Sequence, residues 1–169
     1  MDSRVHLQPF TAADVEQLLG VFRDPAVRRH LLDDIVVSEE WVRNEVAASE
    51  QRFAATGAGV WSIRLAGSSR IIGFVGFREF FDPPQLQLLY GLLPEFWKQG
   101  LATEAATLAC GHAFDTLGFA EIIAATDGAN EDSVKVLRRL GMSLVRTSSD
   151  WPSGTVFYRI SREAWCQRT

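Results

Sequence analysis

Two stretches of the chain hold residue types at spacings that could do chemistry. The first is Tyr90-Gly91-Leu92-Leu93-Pro94-Glu95-Phe96-Trp97-Lys98-Gln99-Gly100-Leu101-Ala102-Thr103-Glu104. A β-rich run stops at Pro94, passes through a short loop with one glycine, and enters a helical pattern. A helix start presents backbone N–H groups without intrahelical acceptors, together with the positive end of the helix dipole. That combination suits a phosphate. Gly100 lets the backbone approach a bulky anion, Ala102 keeps the first helical turn small, and Lys98 adds a positive charge. The loop lacks the Gly-Lys-Ser/Thr ending of a P-loop and the G-x-G-x-x-G of a dinucleotide site. On its own, one glycine here reads better as an ordinary strand-to-helix turn.

The second stretch is Asn130-Glu131-Asp132-Ser133-Val134-Lys135-Val136-Leu137-Arg138-Arg139-Leu140-Gly141-Met142. Asn130 is a favoured N-cap, Gly141 fits a C-terminal cap, and Lys135, Arg138 and Arg139 suit the negative end of a helix. Elsewhere the candidates are sparse. Cys110 and Cys166 form neither a metal spacing nor a redox pair, which makes a reducing, cytoplasmic setting the expectation and leaves no metal site. Glu79, His30, Asp33 and Asp34 are candidate bases, each read more simply as solvated surface. His112 lies in a helical pattern and His6 on a first strand.

The elements that position these residues follow from periodicity. Arg4 to Gln8 alternates as a strand. Thr11 with Asp14 resembles a capping box opening a helix over Ala12 to Asp24, which Pro25 should end or bend. Ser38 caps a further helix with Val42, Val46, Ser49 and Phe53 on one face. Val60–Leu65 and Ile71–Glu79, joined by Ala66-Gly67-Ser68-Ser69, read as a hairpin. Phe81-Asp82-Pro83-Pro84 is a stiff loop before the strand Leu86–Leu93. A helix over Thr103 to Gly118 carries a small-sided face of Ala102, Ala106, Ala109, Cys110, Ala113, Phe114 and Leu117, so it should pack deep, with Cys110 as a core thiol. The strand Glu121–Thr126, the helix Asn130–Leu140 and the strands Ser143–Thr147 and Thr155–Ser161 complete the chain, the last two joined by Asp150-Trp151-Pro152-Ser153-Gly154. This mixed order implies an α+β or three-layer domain. Trp61, Phe74, Phe77, Phe80 and Phe81 could line a cleft; at strand spacing they are more often core, and the expectation is kept only near Phe80 and Phe81.

With 169 residues, 47% of them apolar, one domain over 1–169 is expected, with no linker to divide it. A charge of −4 weighs against broad nucleic-acid binding. No long charge-free apolar run or signal-like start exists, so no membrane partner is expected.

Taken together, the two stretches resemble the GNAT superfamily of N-acetyltransferases, in its ribosomal-protein N-terminal acetyltransferase (RimJ/RimL-type) branch. Trp97 to Ala102 matches an aromatic or basic residue, two variable residues, Gly, one variable residue, then Gly or Ala. Asn130, Ser133 and Leu140-Gly141-Met142 match the downstream pattern in order and spacing. Phe157-Tyr158-Arg159-Ile160 and Glu163-Ala164-Trp165 fit the last strand and tail. The resemblance covers nearly the whole chain. It implies a three-layer α/β/α domain whose mixed, mostly antiparallel twisted central sheet is splayed between Leu86–Leu93 and Glu121–Thr126. It implies acetyl-CoA as co-substrate, with its pantetheine arm in the splay against the backbone of Gly91, Leu92 and Leu93. Lys98, Gln99, Gly100, Leu101, Ala102 and Thr103 would hold the pyrophosphate, and Asn130 would contact the pantetheine or position the following helix. The implied reaction is direct attack of a primary amine, on a protein N-terminus or a small molecule, on the thioester. Relatives often carry a carboxylate where this chain has Gln87 and a tyrosine where it has Leu137. Ser133, with Asn130, then stands as the catalytic candidate. Those two departures keep a second reading open, a non-catalytic acyl-CoA-binding module. A homodimer is left open.

Overall fold

The hairpin signalled by Ala66-Gly67-Ser68-Ser69 sits at the centre of the larger sheet. The computed structural model describes residues 2–81, 83–149 and 154–168. In it β1 (Val5–Pro9), β2 (Val60–Leu65), β3 (Ile71–Phe80) and β4 (Gln85–Leu92) pair in sequence order. A second sheet has the order β5 (Glu121–Asp127), β7 (Thr155–Ser161), β6 (Ser143–Ser148). Every ladder among the described residues is antiparallel. The single splayed sheet therefore takes the form of two hydrogen-bonded sheets. They meet at β4 and β5, which lie against each other without sharing a ladder. Of the connection between β6 and β7, residues 150–153 lie outside the described residues.

Helices cover both faces. On one side α1 (Val15–Arg23) and α3 (Glu39–Thr56) bury Leu18, Val21, Phe22, Val42 and Val46 against Val60, Ile71, Phe74 and Leu89. On the other, α4 (Leu101–Gly111) and α5 (Glu131–Arg139) bury Ala105, Ala106, Ala109, Cys110 and Leu137 against Ile63, Val75, Leu88 and Ile122. Removing the Leu18 or Phe74 side chain would leave a cavity costing about 2–5 kcal/mol. Ser49 interrupts the apolar face of α3 for a reason: its Oγ accepts the Val60 N–H at 2.8 Å, satisfying a buried strand donor.

Three boundaries differ from the sequence reading. A 3-10 turn over Ala12–Asp14 precedes α1, with the Thr11 N–H donating to Asp14 Oδ2 at 2.9 Å. Pro25 ends α1 and also starts α2 (Pro25–Leu31), a helix the periodicity did not reveal. It fits at the first helical position, where its missing N–H costs nothing, and the Asp24 carboxylate caps the helix by accepting from Ala26 N at 2.9 Å. Helix α4 starts at Leu101, two residues before Thr103. Its α geometry gives way to a π turn over His112–Thr116, whose wider hydrogen bonding the spacing of apolar residues does not distinguish from α. Ala113 and Phe114 remain fully buried across that turn.

Candidate active site

Where β4 and β5 fail to pair, a cleft of about 880 Å³ opens, walled by α2, β4, β5 and the starts of α4 and α5. Four basic side chains, Arg29, Lys98, Lys135 and Arg139, face two acidic ones, Glu131 and Asp132, in its wall. In a chain with net charge −4 this local excess of positive charge favours an anionic ligand.

One end of the cleft is the loop into α4. Lys98 and Gly100 adopt left-handed backbone angles, φ of 60° and 77°. Added side chain at Gly100 would meet nothing closer than Arg4 Nη2 at 3.5 Å, so glycine is required there by conformation rather than by space. The turn delivers the first N–H groups of α4 with no side chain capping them. Thr103 Oγ1 is buried with no hydrogen-bond partner among the described residues. A phosphate oxygen would satisfy both. The loop is tied from outside by the N-terminus of β1: Arg4 Nη1 donates to Gln99 O at 3.0 Å, and Arg4 Nε lies 2.8 Å from Glu104 Oε2. Desolvation pushes the Glu104 carboxyl up. The hydrogen bonds from Ser3 Oγ, Arg4 N–H and the Arg4 side chain together outweigh it and hold Glu104 below the usual carboxylate range.

The edge of β4 forms the long wall. Leu93 N–H donates to Ile72 O at 2.9 Å, and Gly91, two residues earlier, pairs with Phe74. Strand alternation therefore turns the backbone of Gly91 and Leu93 toward β3 and that of Tyr90 and Leu92 toward β5. The Leu92 carbonyl on that edge accepts the Trp97 indole N–H at 2.7 Å, leaving the Leu92 N–H as the donor facing the cleft. Gly91 is small because Phe74 lies beneath it: a Cβ there would sit 2.6 Å from the ring.

Across the cleft, Asn130 caps α5, its Oδ1 accepting Ser133 N–H at 3.2 Å. Ser133 Oγ lies 2.9 Å from the Tyr90 hydroxyl, which also donates to Ser133 O at 3.0 Å. Burial pushes the Tyr90 phenol far up, only partly offset by the bond to Ser133, so it stays protonated. Leu137 is in the core, and the buried Gln87 amide donates to Gln85 Oε1 at 2.9 Å. Burial likewise raises the Cys110 thiol to about 12, consistent with a core role.

The structure thus gathers Gly91, Leu92, Lys98, Gly100, Leu101, Ala102, Thr103, Asn130 and Ser133 into one wall system; Leu93 and Gln99 lie outside it. Gln99 is turned away, its side chain donating to Glu95 O and its carbonyl accepting from Arg4. Trp61, Phe74 and Phe77 are buried in the cores, and neither Phe80 nor Phe81 lines the cleft, because β3 carries them toward Arg78 and Phe157. Of the candidate bases only His30 reaches the wall; Glu79, Asp33 and Asp34 are exposed elsewhere, Asp34 paired with Arg28. Tyr90 and Asp127 were missed. A tyrosine in a strand and an aspartate at a strand end carry no local signal, and their partners lie 43 and 97 residues away.

Comparison with known proteins agrees with this fold. The chain is 24% identical over 139 residues to YoaA, an uncharacterized N-acetyltransferase of Bacillus subtilis (strain 168), covering 82% of this chain and 78% of that one. Its fold matches a GNAT-family acetyltransferase of Bacillus anthracis with a TM-score of 0.79 at 22% identity, over 96% of this chain and 98% of that chain. It also matches RimL, the ribosomal L7/L12 alpha-N-protein acetyltransferase in complex with coenzyme A, with a TM-score of 0.82 at 16% identity, over 96% and 97%. The family model for the acetyltransferase (GNAT) domain matches residues 4–143. That span holds β1, the glycine loop and the Asn130–Ser133 turn, and the chain belongs to the GNAT acetyltransferase family.

Proposed function

We propose that this acetyltransferase moves the acetyl group of acetyl-CoA to a primary amine, on a peptide N-terminus or a small molecule, by direct attack of the amine on the thioester. The observation that carries the reading is the meeting, in one cleft, of an uncapped helix start beside Thr103 Oγ1, which has no partner among the described residues, and a half-buried Tyr90–Ser133 hydroxyl pair. The N–H groups after Gly100, with Thr103 and Lys98, hold the pyrophosphate. The outward Leu92 N–H meets the pantetheine as an added strand would, in place of the Gly91 and Leu93 groups committed to β3. Acetyl-CoA supplies the activated acyl carbon when bound.

Ser133 then acts at the sulfur side. The Tyr90 phenol, kept protonated by burial, gives its one hydrogen to Ser133 O, so the Ser133 O–H rests on the phenol oxygen and turns to donate to sulfur as that atom gains charge. Asn130 sets the first turn of α5 and so the place of Ser133. Thiolate is a fair leaving group, so this help is modest.

Calorimetry with acetyl-CoA, followed by turnover on a panel of peptide and alkyl amines, tests the proposal. Binding with turnover is expected. Binding without turnover on any amine would instead support the acyl-CoA-binding module, which the buried, amide-paired Gln87 favours because it cannot accept a proton.

A further inference from the structure

We infer that His30 is the base that takes the proton from the acceptor amine, with Asp127 positioning it. The inference rests on the amine-acetylation reading above. The β4 residues that line the cleft, Leu88 to Leu92, include neither a carboxylate nor an imidazole, and Gln87 is buried outside it. Helix α2 supplies one from the opposite side. Pro25 at its first position and the Asp24 cap fix where α2 begins, and the helix carries His30 into the cleft wall that also holds Leu89, Tyr90 and Ser133. His30 Nδ1 lies 3.1 Å from Asp127 Oδ2 at the end of β5.

The contact decides the tautomer. A carboxylate accepts only, so the Nδ1 facing it carries the hydrogen and the lone pair falls on Nε2. Among the described residues Nε2 has no hydrogen-bond partner. Asp127 is itself held, its Oδ1 accepting the Ala129 N–H at 3.1 Å, and its carbonyl accepts the Asn130 N–H at 2.9 Å. The same turn therefore fixes the carboxylate that orients His30 and the cap that sets Ser133. Both side chains are partly shielded, at 29% exposure for His30 and 18% for Asp127, which strengthens the pairing over an exposed one.

The proton count closes. An acceptor that arrives as an ammonium gives its extra proton to His30 Nε2, which passes it to water before attack. As the nitrogen–carbon bond forms and the carbon–sulfur bond breaks, the electron pair of the breaking bond goes to sulfur, which leaves as a thiolate accepting a hydrogen bond from Ser133 Oγ. The remaining proton on the bonded nitrogen goes to water, and water protonates the thiolate, so Ser133 keeps its own hydrogen.

The test uses His30→Gln and Asp127→Asn in the full chain. Each is assayed on a panel of peptide and alkyl primary amines, with every amine paired with a hydrazide of matching length whose nitrogen is already neutral at neutral pH. His30→Gln should lower kcat on the amines by about 100-fold or more, the scale of a lost general base. The loss on the hydrazides should be much smaller, and calorimetric affinity for acetyl-CoA should stay within about 2-fold. Asp127→Asn should show the same pattern at smaller amplitude and provides the reading if His30→Gln does not fold. Equal losses on amines and hydrazides, or wild-type kcat on the amines in both variants, overturns the assignment while leaving acetyl transfer intact. Absence of wild-type turnover on the whole panel overturns the underlying reading and the inference with it.

Discussion

Ser133 and Tyr90 pose the residue-scale question most sharply, because each hydroxyl is the other's partner. Tyr90→Phe removes a buried donor and leaves Ser133 O without it, which should cost about 1–3 kcal/mol in urea unfolding. It should also lower kcat several-fold, since the Ser133 hydroxyl would lose the partner that orients it. Ser133→Ala should lower turnover moderately, by about 10-fold, with little change in acetyl-CoA affinity, because sulfur needs only modest help to leave. Asn130→Ala should weaken acetyl-CoA binding more than Ser133→Ala does, since it removes the cap of α5. Steady-state kinetics beside calorimetry separates the two. A complete loss of turnover in Ser133→Ala with acetyl-CoA still bound would make the hydroxyl an essential acid.

At the scale of elements, the start of α4 is the proposed cofactor end of the site. Gly100 sits at φ 77°, a conformation that costs a β-branched residue about 1–2 kcal/mol. Because no atom blocks a side chain there, Gly100→Val should leave the fold intact and shift the loop instead. Its acetyl-CoA affinity should drop by about 10-fold or more, and an unchanged Kd in calorimetry would remove this site assignment. The brace between β1 and α4 is tested by pH. Glu104 has a folded-state pKa below its unfolded value, so its contribution is present above the unfolded pKa and fades as pH falls through the folded one. Wild type should therefore exceed Glu104→Gln in Tm at neutral pH, and the gap should close only as pH falls below the usual glutamate range. A gap that persisted into stronger acid would show that packing, not charge, holds the brace.

For the molecule as a whole, the buried pair Arg64–Asp14 joins the β1–β2 sheet to the turn that starts α1. Arg64 Nη2 lies 2.8 Å from Asp14 Oδ1, with side-chain exposures of 9% and 10%. Asp14→Ala would strand a buried guanidinium and should cost about 3–5 kcal/mol in urea unfolding. Replacing the pair together should cost less than the single change, which a double-mutant cycle would read directly. The consequence reaches the cleft, because Arg4, the residue before β1, braces the glycine loop.

What the sequence by itself determined is whatever the chain encodes over a few neighbouring residues. The strand–Pro94–Gly100–helix order, the Asn130 cap with Ser133 three residues on, the hairpin turn at Gly67 and the small-sided face of α4 are all local. They sufficed for the family and the layers, and they named most of the residues that the structure gathers around the cleft. Helix α2 was nearly as local, and its Asp24-Pro25 start was present to be read. Periodicity missed it because seven residues with one buried side chain, Val27, show too little apolar repeat. The tertiary structure alone decided which backbone groups of β4 face outward, because alternation has no phase until β3 pairs with it. It alone decided that Phe80 and Phe81 leave the cleft and that Gln99 turns toward Arg4. It alone brought Tyr90 to Ser133 and His30 to Asp127. Those partners sit on elements far apart in the chain, and only the unpaired meeting of β4 with β5 places them on facing walls.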